Sequence, residues 1–499
     1  MGVPAEIRAV ERPVNTVVVD RGGTGPRRWA VVERVGCRRV GGRNLPVNGG
    51  TVGHIVAGRY VPLDPAPVAS SGPDIRGWAD AAVVHRAALP LLDELLSAFD
   101  AGDAVEAYVL ACMRVLRPGI ACRSLSGAYG DSWLSVEVPG AQLSRNKVSS
   151  FLAALGSSYP RIVAFMRARC ARVAEDHHVV VDGTLKQDTS TVNDLSRLSR
   201  RARVRGTRDV SEIWAFDVEE AEPLCSKVYP GNVVDEVAYG DFLAETGIER
   251  GVLMGDKAFR RKAAEASFAD RPGLHWLNPL RRSDRRIRDH AMYEWEGRLE
   301  GTRRDVLYRK VRLRGGCFLY SFYDRARAAK EEADFFRRTR GSFDAAKAKV
   351  ADERFGTVVF ESDLDLDPGK VYAMYEERWE IEVTFRYYKD TLDLDETRVQ
   401  SDASVIGSEF VSFLATVISS RLVKEFDAAG LLDRMTYGQV MDDLRSARRV
   451  RLEPGGDWTL ARTTVHARET LVKLGLVEAE PRPERKRGRP KGSGKRQGI

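Results

Sequence analysis

Four side chains in segment 374–390 have types and a spacing that suit chemistry on a phosphate group. An α-helix turns about 100° per residue, so Tyr375, Arg378, Glu382 and Lys389 would lie within an arc of roughly 60° on one helix face. The carboxylate could hold a metal ion while the two cations bind phosphate oxygens. The same residues could also form an ordinary solvated face in which Arg378 and Glu382 pair at i,i+4.

Two further carboxylates follow apolar runs that are typical of buried strands. The β-branched run 179–181 leads into Asp182, and the run 251–254 comes just before Asp256, so we expect both aspartates at strand ends. With Glu382 they could hold two divalent cations roughly 3.5–4 Å apart, one activating the attacking oxygen and one stabilising the leaving oxygen. Such oxygen ligands favour Mg²⁺ or Mn²⁺ over zinc. Taken alone, each aspartate is also typical of a turn or a helix cap.

The surrounding pattern predicts the elements that must position these groups. Between the two aspartates it indicates two strands, a turn and a helix, at 213–218, 223–228, 230–232 and 235–246. The order strand, strand, strand, helix, strand is that of the first half of an RNase H-like sheet. Three more strands are predicted before the helix that carries Glu382, at 306–311, 317–322 and 357–360. Apolar helices should follow, at 406–422, 437–448 and 468–476.

The positive charge of the chain is concentrated at its C-terminal end. The 499 residues carry a net charge of +8, and segment 481–499 contains eight Lys or Arg against one Glu. A basic tail on a nearly neutral body is typical of a protein that binds nucleic acid. Within the tail, Arg487 and Arg489 of the sequence RGRP could enter a narrow A·T-rich minor groove, or could belong to a generic polybasic tail.

The scattered cysteines and histidines support neither a zinc module nor a disulfide framework. The start of the sequence lacks the apolar core of a signal peptide, so we expect a reducing cytoplasm, with association to the nucleoid when DNA is bound. The longest apolar run, 410–423, is short and contains Arg421, which favours a buried helix over a membrane span. We therefore expect no membrane partner.

Several basic clusters offer phosphate contacts. One cluster contains Arg197, Arg200, Arg201, Arg203, Arg205 and Arg208, and a second contains Arg281, Arg282, Arg285, Arg286 and Arg288. Both could line a duplex channel, with solvated loops as the alternative. Segment 143–155 predicts a helix with Ser144 as N-cap and three polar residues in its first turn, which is typical of a DNA-reading helix and of many surface helices.

The predicted fold class is α/β, with an RNase H-like mixed-sheet core, an inserted β-rich subdomain, and a β-rich and then helical N-terminal region. We expect a strand-rich region at 1–90 and a helical region that binds DNA at 91–175. The catalytic core would occupy 176–285 and 357–450, with the β-rich insertion between its two parts at 286–356. C-terminal helices at 451–480 and a basic disordered tail at 481–499 would follow.

The ordered motifs resemble those of bacterial insertion-sequence transposases of the DDE class, in particular the subclass with the YREK signature. The signature consists of Tyr, Arg, Glu and Lys separated by two, three and six residues, and segment 374–390 has the same spacing. VVVDGT at 179–184, YPGN at 229–232 and GDKAF at 255–259 are similar to the other family motifs and follow the same order. The resemblance covers about 175–425.

The resemblance implies a DNA transposase that binds the terminal inverted repeats of its insertion sequence. Such an enzyme cleaves the element ends by two-metal-ion phosphodiester hydrolysis and joins the 3′ ends to target DNA by transesterification. It implies double-stranded DNA as partner, Mg²⁺ or Mn²⁺ as cofactor with two ions per active site, and a homodimer on paired DNA ends. A catalytically silent repressor of transposition and a host RNase H-like nuclease for branched DNA stay open as alternatives.

The resemblance also assigns roles to individual residues. Asp182, Asp256 and Glu382 would hold the metal ions and act as the catalytic carboxylates. The residues expected at the DNA phosphates are Tyr375, Arg378 and Lys389, with Arg200, Arg201, Arg203 and Arg205 from the first cluster. Trp379 would stack on a flipped base, or pack in the core instead.

Overall fold

A computed structural model of the chain describes most of its length. The described residues are 3–22, 25, 28–40, 43–62, 72–188, 190–199, 206–233, 235–255, 268, 270–300, 305–376, 392, 396–397 and 399–479. They form two compact units, one from Met1–Asp74 and Val450–Trp458, the other from Ile75–Arg449 and Thr459–Ile499.

The first unit is built on an antiparallel sheet of four strands in sequential order. Its elements are α1 Ala5–Arg8, β1 Thr16–Asp20, β2 Trp29–Val40, β3 Arg43–Val56 and β4 Arg59–Pro62. Val18, Val31 and Ile55 form the buried core on one face of this sheet. A Cβ on Gly53 would lie 2.5 Å from the carbonyl oxygen of Val61, so the closeness of β3 and β4 requires glycine there.

The second unit begins with a helical layer. Its elements are β5 Asp74–Gly77, α2 Ala79–Ala98, α3 Ala101–Leu116, α4 Cys122–Gly130, α5 Leu134–Glu137, α6 Arg145–Ser157 and α7 Tyr159–Cys170. Apolar side chains at three- and four-residue spacing give α2 and α3 their buried faces. Ser144 precedes α6 as its N-cap residue but makes no side-chain capping hydrogen bond. Arg145, Asn146 and Lys147 are exposed in its first turn, and a DNA-reading role for this helix stays a prediction.

A large mixed sheet follows in the same unit. Its strands are β6 His178–Asp188, β7 Arg197–Leu198, β8 Arg208–Asp217, β9 Glu222–Pro230, β10 Gly251–Met254, β11 Leu274–Pro279, β12 Gly297–Arg298, β13 Val306–Arg312, β14 Phe318–Asp324, β15 Thr357–Ser362 and β16 Glu396–Thr397, and α8 Asp235–Thr246 lies between β9 and β10. The described strands have the order β12-β13-β14-β15-β11-β10-β6-β8-β7, with β9 on β8 and β16 on β6. β6, β10 and β11 run parallel, whereas β8 and β9 are antiparallel to their neighbours. The α/β prediction is confirmed at the level of a mixed sheet with many helices.

The insertion differs from the largely β subdomain that the sequence predicted. β13 and β14 form a hairpin that joins the main sheet, because β14 pairs with β15. The rest contains α9 Arg285–Asp289, α10 Arg325–Arg338 and α11 Ala345–Asp352. Asp324 starts α10 by accepting hydrogen bonds from the amides of Ala326 and Arg327, and Asp344 caps α11 in the same way. These local caps favour helices over strands.

The chain then adds one long central helix and two shorter ones. The elements are the helical residues 368–376 (α12), α13 Asp402–Ala428, α14 Tyr437–Ser446, β17 Arg448–Arg451, β18 Thr459–Leu460 and α15 Val465–Lys473. Among the described residues, α13 alone has the length and apolarity of a membrane span, but 83% of its most apolar window is buried. Such burial is expected of a core helix. A Cβ on Gly407 would lie 2.1 Å from the carbonyl oxygen of Leu152, so glycine allows α13 and α6 to approach closely.

A network of ion pairs connects the helical layer to the sheet. The guanidinium of Arg169 on α7 contacts the carboxylates of Glu94 on α2 and Glu222 on β9, the latter at 2.7 Å. Arg421 on α13 contacts the same two carboxylates at 3.1 and 2.7 Å. The side chain of Arg169 is only 2% exposed. Four elements therefore meet at one group of paired charges.

Candidate active site

Asp182 lies within the central strand of the large sheet rather than at its end. β6 continues to Asp188, so the expectation of a strand end is wrong for this residue. The apolar run 179–181 is followed by alternating residues that keep pairing with β8, and this cross-strand ladder extends the strand. Asp182 pairs with Trp214, and it is partly buried. Directly paired residues point to the same side of a sheet, so Asp182 and Trp214 share a face.

Helix α13 covers part of this face. The rings of Trp214 and Phe413 on α13 lie 5.5 Å apart. Lys186, which is two pleats beyond Asp182, lies on the same face. Its ammonium is 3.3 Å from Glu212 and also contacts Glu409 of α13. All three side chains are nearly inaccessible, and burial raises the pKa of Glu212 to about 6, helped by Glu409 and opposed by Lys186. Because buried charges need their partners, this contact holds α13 in one position over the sheet.

The strand beside β6 leads toward the second predicted carboxylate. β10 pairs with β6 in parallel, with Leu253 opposite Val179 and Met254 opposite Val180. The next amide, that of Gly255, donates a hydrogen bond of 3.4 Å to the side chain of buried Asn278 on β11. Asp256 comes immediately afterwards and lies outside the described residues. Asn278 is a contact that the sequence did not indicate, since it depends on the pairing of β10 with β11.

Helix α12 packs on the face of the sheet to which Val180 belongs. Tyr372 and Met374 of α12 are buried in the cluster that contains Val180 and Met254, and Tyr375 packs against this cluster. Because residues two apart in a strand point the same way, Asp182 is on this face as well. The structure therefore brings Asp182 and the helix that precedes Glu382 to the same side of the sheet.

Tyr375 is the described member of the four-residue signature. Its ring lies 5.2 Å from that of Phe360, and its hydroxyl accepts a hydrogen bond from the guanidinium of Arg327 on α10. Arg327 also pairs with Glu331 at 2.9 Å. A guanidinium therefore lies beside the phenol that was predicted to bind phosphate. Sequence reasoning missed Arg327, because it is 48 residues away in a different helix.

The remaining predicted site residues lie outside the described residues. They are Glu382, Arg378, Trp379, Lys389, Arg200, Arg201, Arg203, Arg205, Arg487 and Arg489. Of the first arginine cluster, Arg197 pairs with Asp194 at 2.7 Å and Arg208 donates to the carbonyl of Ser196 at 3.0 Å. Their predicted phosphate contacts stay predictions.

The second arginine cluster is largely paired with carboxylates. Arg282 lies 2.6 Å from Glu331, and Arg286 lies 2.9 Å from Asp284 and 2.7 Å from Glu361. The hydrogen bond and charge of Asp284, together with the Glu361 carboxylate, raise the pKa of Arg286. Arg282 and Arg286 thus have carboxylate partners within the protein. The phosphate contacts predicted for this cluster stay a prediction.

A second group of possible metal ligands lies at the other end of β6. Ligand atoms of His177, Asp217 and Glu219 are all within 4.8 Å of one another. His177 Nδ1 is 2.7 Å from Asp217, and His178 contacts Glu219. At about 3.3 Å per residue, His177 is roughly 16 Å along the chain from Asp182. This group is therefore separate from the carboxylates predicted to act in catalysis.

Comparison with known proteins gives one family match. Residues 189–416 match the model of a family described as "Transposase DDE domain". The matched region covers slightly under half of the 499 residues and begins seven residues after Asp182. It contains Asp256, Tyr375 and Glu382.

The other comparisons add little. No curated protein matches the chain. A cryo-EM structure of a piggyBac transposase synaptic complex with hairpin DNA is similar over 70% of this chain and 71% of that chain, at 12% identity and a TM-score of 0.38. A similarity this low supports no conclusion about function. The family match therefore shows that residues 189–416 are similar to a DDE transposase domain.

Proposed function

We propose that the chain is a metal-dependent DNA transposase of a bacterial insertion sequence, with the YREK signature and an RNase H-like core. It binds the terminal inverted repeats of its element as a homodimer in the cytoplasm. It cleaves the element ends and joins the 3′ ends to target DNA. The strand order β9-β8-β6-β10-β11, with β6, β10 and β11 parallel, supports the RNase H-like core.

One observation carries the proposal most directly, namely the pairing of β6 with β10. Val180 and Met254 are opposite each other, and each lies two residues before an aspartate, Asp182 and Asp256. In parallel strands the same step along both chains reaches opposite positions on the same face. This register therefore favours two neighbouring carboxylates. The packing of α12 on the same face supports a third, Glu382, seven residues after Tyr375.

The donor set fits Mg²⁺ or Mn²⁺, because Asp182, Asp256 and Glu382 all offer carboxylate oxygens and Asp182 is partly buried. Two such ions, when bound, would supply Lewis-acid stabilisation of charge on the phosphate oxygens. The protein's own groups bind and orient the strand to be cut. Tyr375, Arg378 and Lys389 hold phosphates next to the carboxylates, and Arg327 orients the Tyr375 phenol through its hydrogen bond.

The test uses the purified full-length protein and DNA fragments that flank its gene, chosen for short terminal inverted repeats. Wild-type protein with Mg²⁺ should nick these fragments at one position per repeat, mapped by primer extension, and join the ends to a supercoiled plasmid. Asp182→Asn should bind the same DNA without cutting it. An Asp427→Asn variant, changed at an exposed carboxylate on α13, is the matched control and should cut normally.

Two outcomes would contradict the proposal. Cleavage that Asp182→Asn leaves unchanged would remove Asp182 from the site. Cleavage of branched DNA without regard to the terminal repeats would indicate a host nuclease instead.

A further inference from the structure

A basic aromatic surface is exposed on the insertion. It is formed by segment 335–343, FFRRTRGSF, at the end of α10 and in the loop before α11. The segment contains three phenylalanines and three arginines but no carboxylate. We call it the aromatic–arginine surface.

Two phenylalanine rings on this surface are stacked and open to solvent. Phe336 and Phe343 are 46% and 57% exposed, and their ring centroids lie 6.0 Å apart with planes inclined by 22°. The Phe335 ring packs edge-on against Phe336 and against Phe355, each at 5.7 Å between ring centroids, which anchors the end of α10. Removing large apolar groups from water is favourable, so an exposed aromatic pair of this kind is typical of a binding surface.

A concave site of about 540 Å³ lies beside the stacked pair. Both exposed rings, two guanidinium groups and polar side chains at the end of α10 line this site. The lining residues are Asp334, Phe336, Arg337, Thr339, Arg340 and Phe343. Clefts that hold small organic groups fall in the range of roughly 300–1,000 Å³. The site is therefore large enough for a nucleobase with its sugar and phosphate.

The charges around this site leave positive groups available for a ligand. Arg337 pairs with Asp334 at 2.7 Å. The Asp344 side chain accepts hydrogen bonds from two amides at the start of α11. For Arg338 and Arg340, both exposed, no carboxylate partner is found among the described residues. Asp334 and Asp344 are thus engaged by other groups, whereas the guanidinium of the exposed Arg340, which lines the concave site, is available for a ligand.

We propose that the aromatic–arginine surface binds single-stranded or unpaired DNA, with bases stacked on Phe343 and Phe336 and a phosphate held by Arg340. Every base offers a π-face, so aromatic stacking with backbone contacts from arginine suits a single strand of any sequence. In a duplex the bases are already stacked on one another and cannot reach these rings. This inference rests on the proposed function, which exposes unpaired strands when element ends are opened.

The apolar part of the surface is too small to favour a second protein chain as its occupant. Apart from the two rings, the described residues of the insertion expose one other large apolar side chain, Val350 on α11, which is 40% exposed and does not line the site. Stable protein interfaces bury roughly 800 Å² per partner around an apolar centre. Positive charge beside stacked rings is complementary to a polyanion with aromatic bases.

The experiment measures binding of the full-length protein to three fluorescent probes of equal length by anisotropy, in EDTA so that no strand is cut. The probes are single-stranded dT20, a 20-unit abasic strand with the same backbone, and a 20-base-pair duplex. Phe343→Ala should weaken dT20 binding by roughly 5- to 100-fold, which is the range for one base stack. Binding of the abasic strand and the duplex should change by less than about twofold. Phe343→Tyr should keep most of the dT20 affinity.

Matched variants separate stacking from charge and from folding. Val350→Ala, an exposed apolar change on the adjacent helix, should leave all three affinities unchanged. Arg340→Gln should weaken the binding of both single strands and reduce its salt dependence. Unchanged melting temperatures would show that the exposed substitutions leave the fold intact.

Three results would overturn the inference. The first is that Phe343→Ala weakens the binding of dT20 and of the abasic strand equally. The second is that it leaves dT20 affinity and oligomeric state unchanged. The third is that it changes the oligomeric state without weakening dT20 binding, which would assign the surface to contacts between copies of the chain. This binding experiment does not depend on cleavage of the element ends. The proposed function therefore stands or fails separately, through the Asp182→Asn experiment.

Discussion

Val180 on β6 pairs with Met254 on β10 in a parallel register, and each is followed two residues later by an aspartate. The main-chain pairing of these two apolar residues thus aligns two strands that are far apart in the sequence. Both pieces are short, since β10 has only four residues. The hydrogen bond from the Gly255 amide to Asn278 ties the end of β10 to the next strand.

If Asp182 and Asp256 act as one metal-binding unit, their substitutions should not be additive. Asp182→Asn and Asp256→Asn should each lower end cleavage by about a thousandfold or more, because several kcal/mol of stabilisation is lost. The double variant should be no slower than the worse single variant. Single-turnover cleavage of a labelled end fragment measures this. Multiplied losses in the double variant would mean that the two carboxylates act independently.

The contact between Arg327 and Tyr375 should appear as a coupling energy. Tyr375→Phe removes the hydroxyl that accepts from Arg327, and Arg327→Met removes the donor. In urea unfolding, the double variant should be less destabilised than the sum of the singles by about 0.5–3 kcal/mol. Arg325→Met, at an exposed residue of the same helix turn, serves as control and should couple to Tyr375 by less than about 0.5 kcal/mol. Strict additivity for Arg327 would show that the contact contributes nothing.

The elements around the site could be predicted from sequence where the signal is local. The run 179–181 and the spacing at 235–246 each predict an element that the structure contains. The end of β6 could not be predicted, because residues beyond Asp182 stay in the strand through pairing with β8, which no local pattern reveals. Asp324 and Asp344 are ordinary N-cap residues, but the helices that follow them were not predicted. The strand-like patterns on either side of them led to the prediction of a largely β insertion.

Contacts between distant residues were beyond the reach of sequence reasoning. Lys186 and Glu409 are 223 residues apart, and their contact depends on how α13 crosses the sheet. The available signal was that Glu409 is the one carboxylate between positions 403 and 424 of this apolar helix, because such a group is costly to bury without a partner. Its partner could not be named from the pattern alone.

Burial of His85 should make stability depend on pH between the two pKa values of this residue. Desolvation lowers the pKa of His85, although Glu137 opposes this, and its Nδ1 lies 2.7 Å from the Tyr108 hydroxyl. As pH falls below about 6.5, the unfolded chain binds the proton first, so the stabilisation present above that pH is lost as the pH approaches the lowered pKa. The stability difference between wild type and His85→Gln should therefore shrink from pH 7.5 to pH 5.5.

Urea unfolding of both proteins at several pH values measures this difference. Comparing the two proteins cancels the titration of other groups, which both share. A difference that stays constant with pH would show that folding leaves the protonation of His85 unchanged.

The ion network at Arg169 allows a comparison of two arginines that share one carboxylate. Arg169 is 2% exposed and bridges Glu94 and Glu222, whereas Arg172 contacts the same Glu94 at 3.1 Å but is 55% exposed. Arg169→Met should cost about 3–5 kcal/mol of unfolding free energy, because two carboxylates lose a buried partner. Arg172→Met should cost less than about 1 kcal/mol, because water screens and replaces its contact. Chemical unfolding of the three proteins measures both values, and equal costs would show that Arg421 alone satisfies the Glu94 and Glu222 carboxylates.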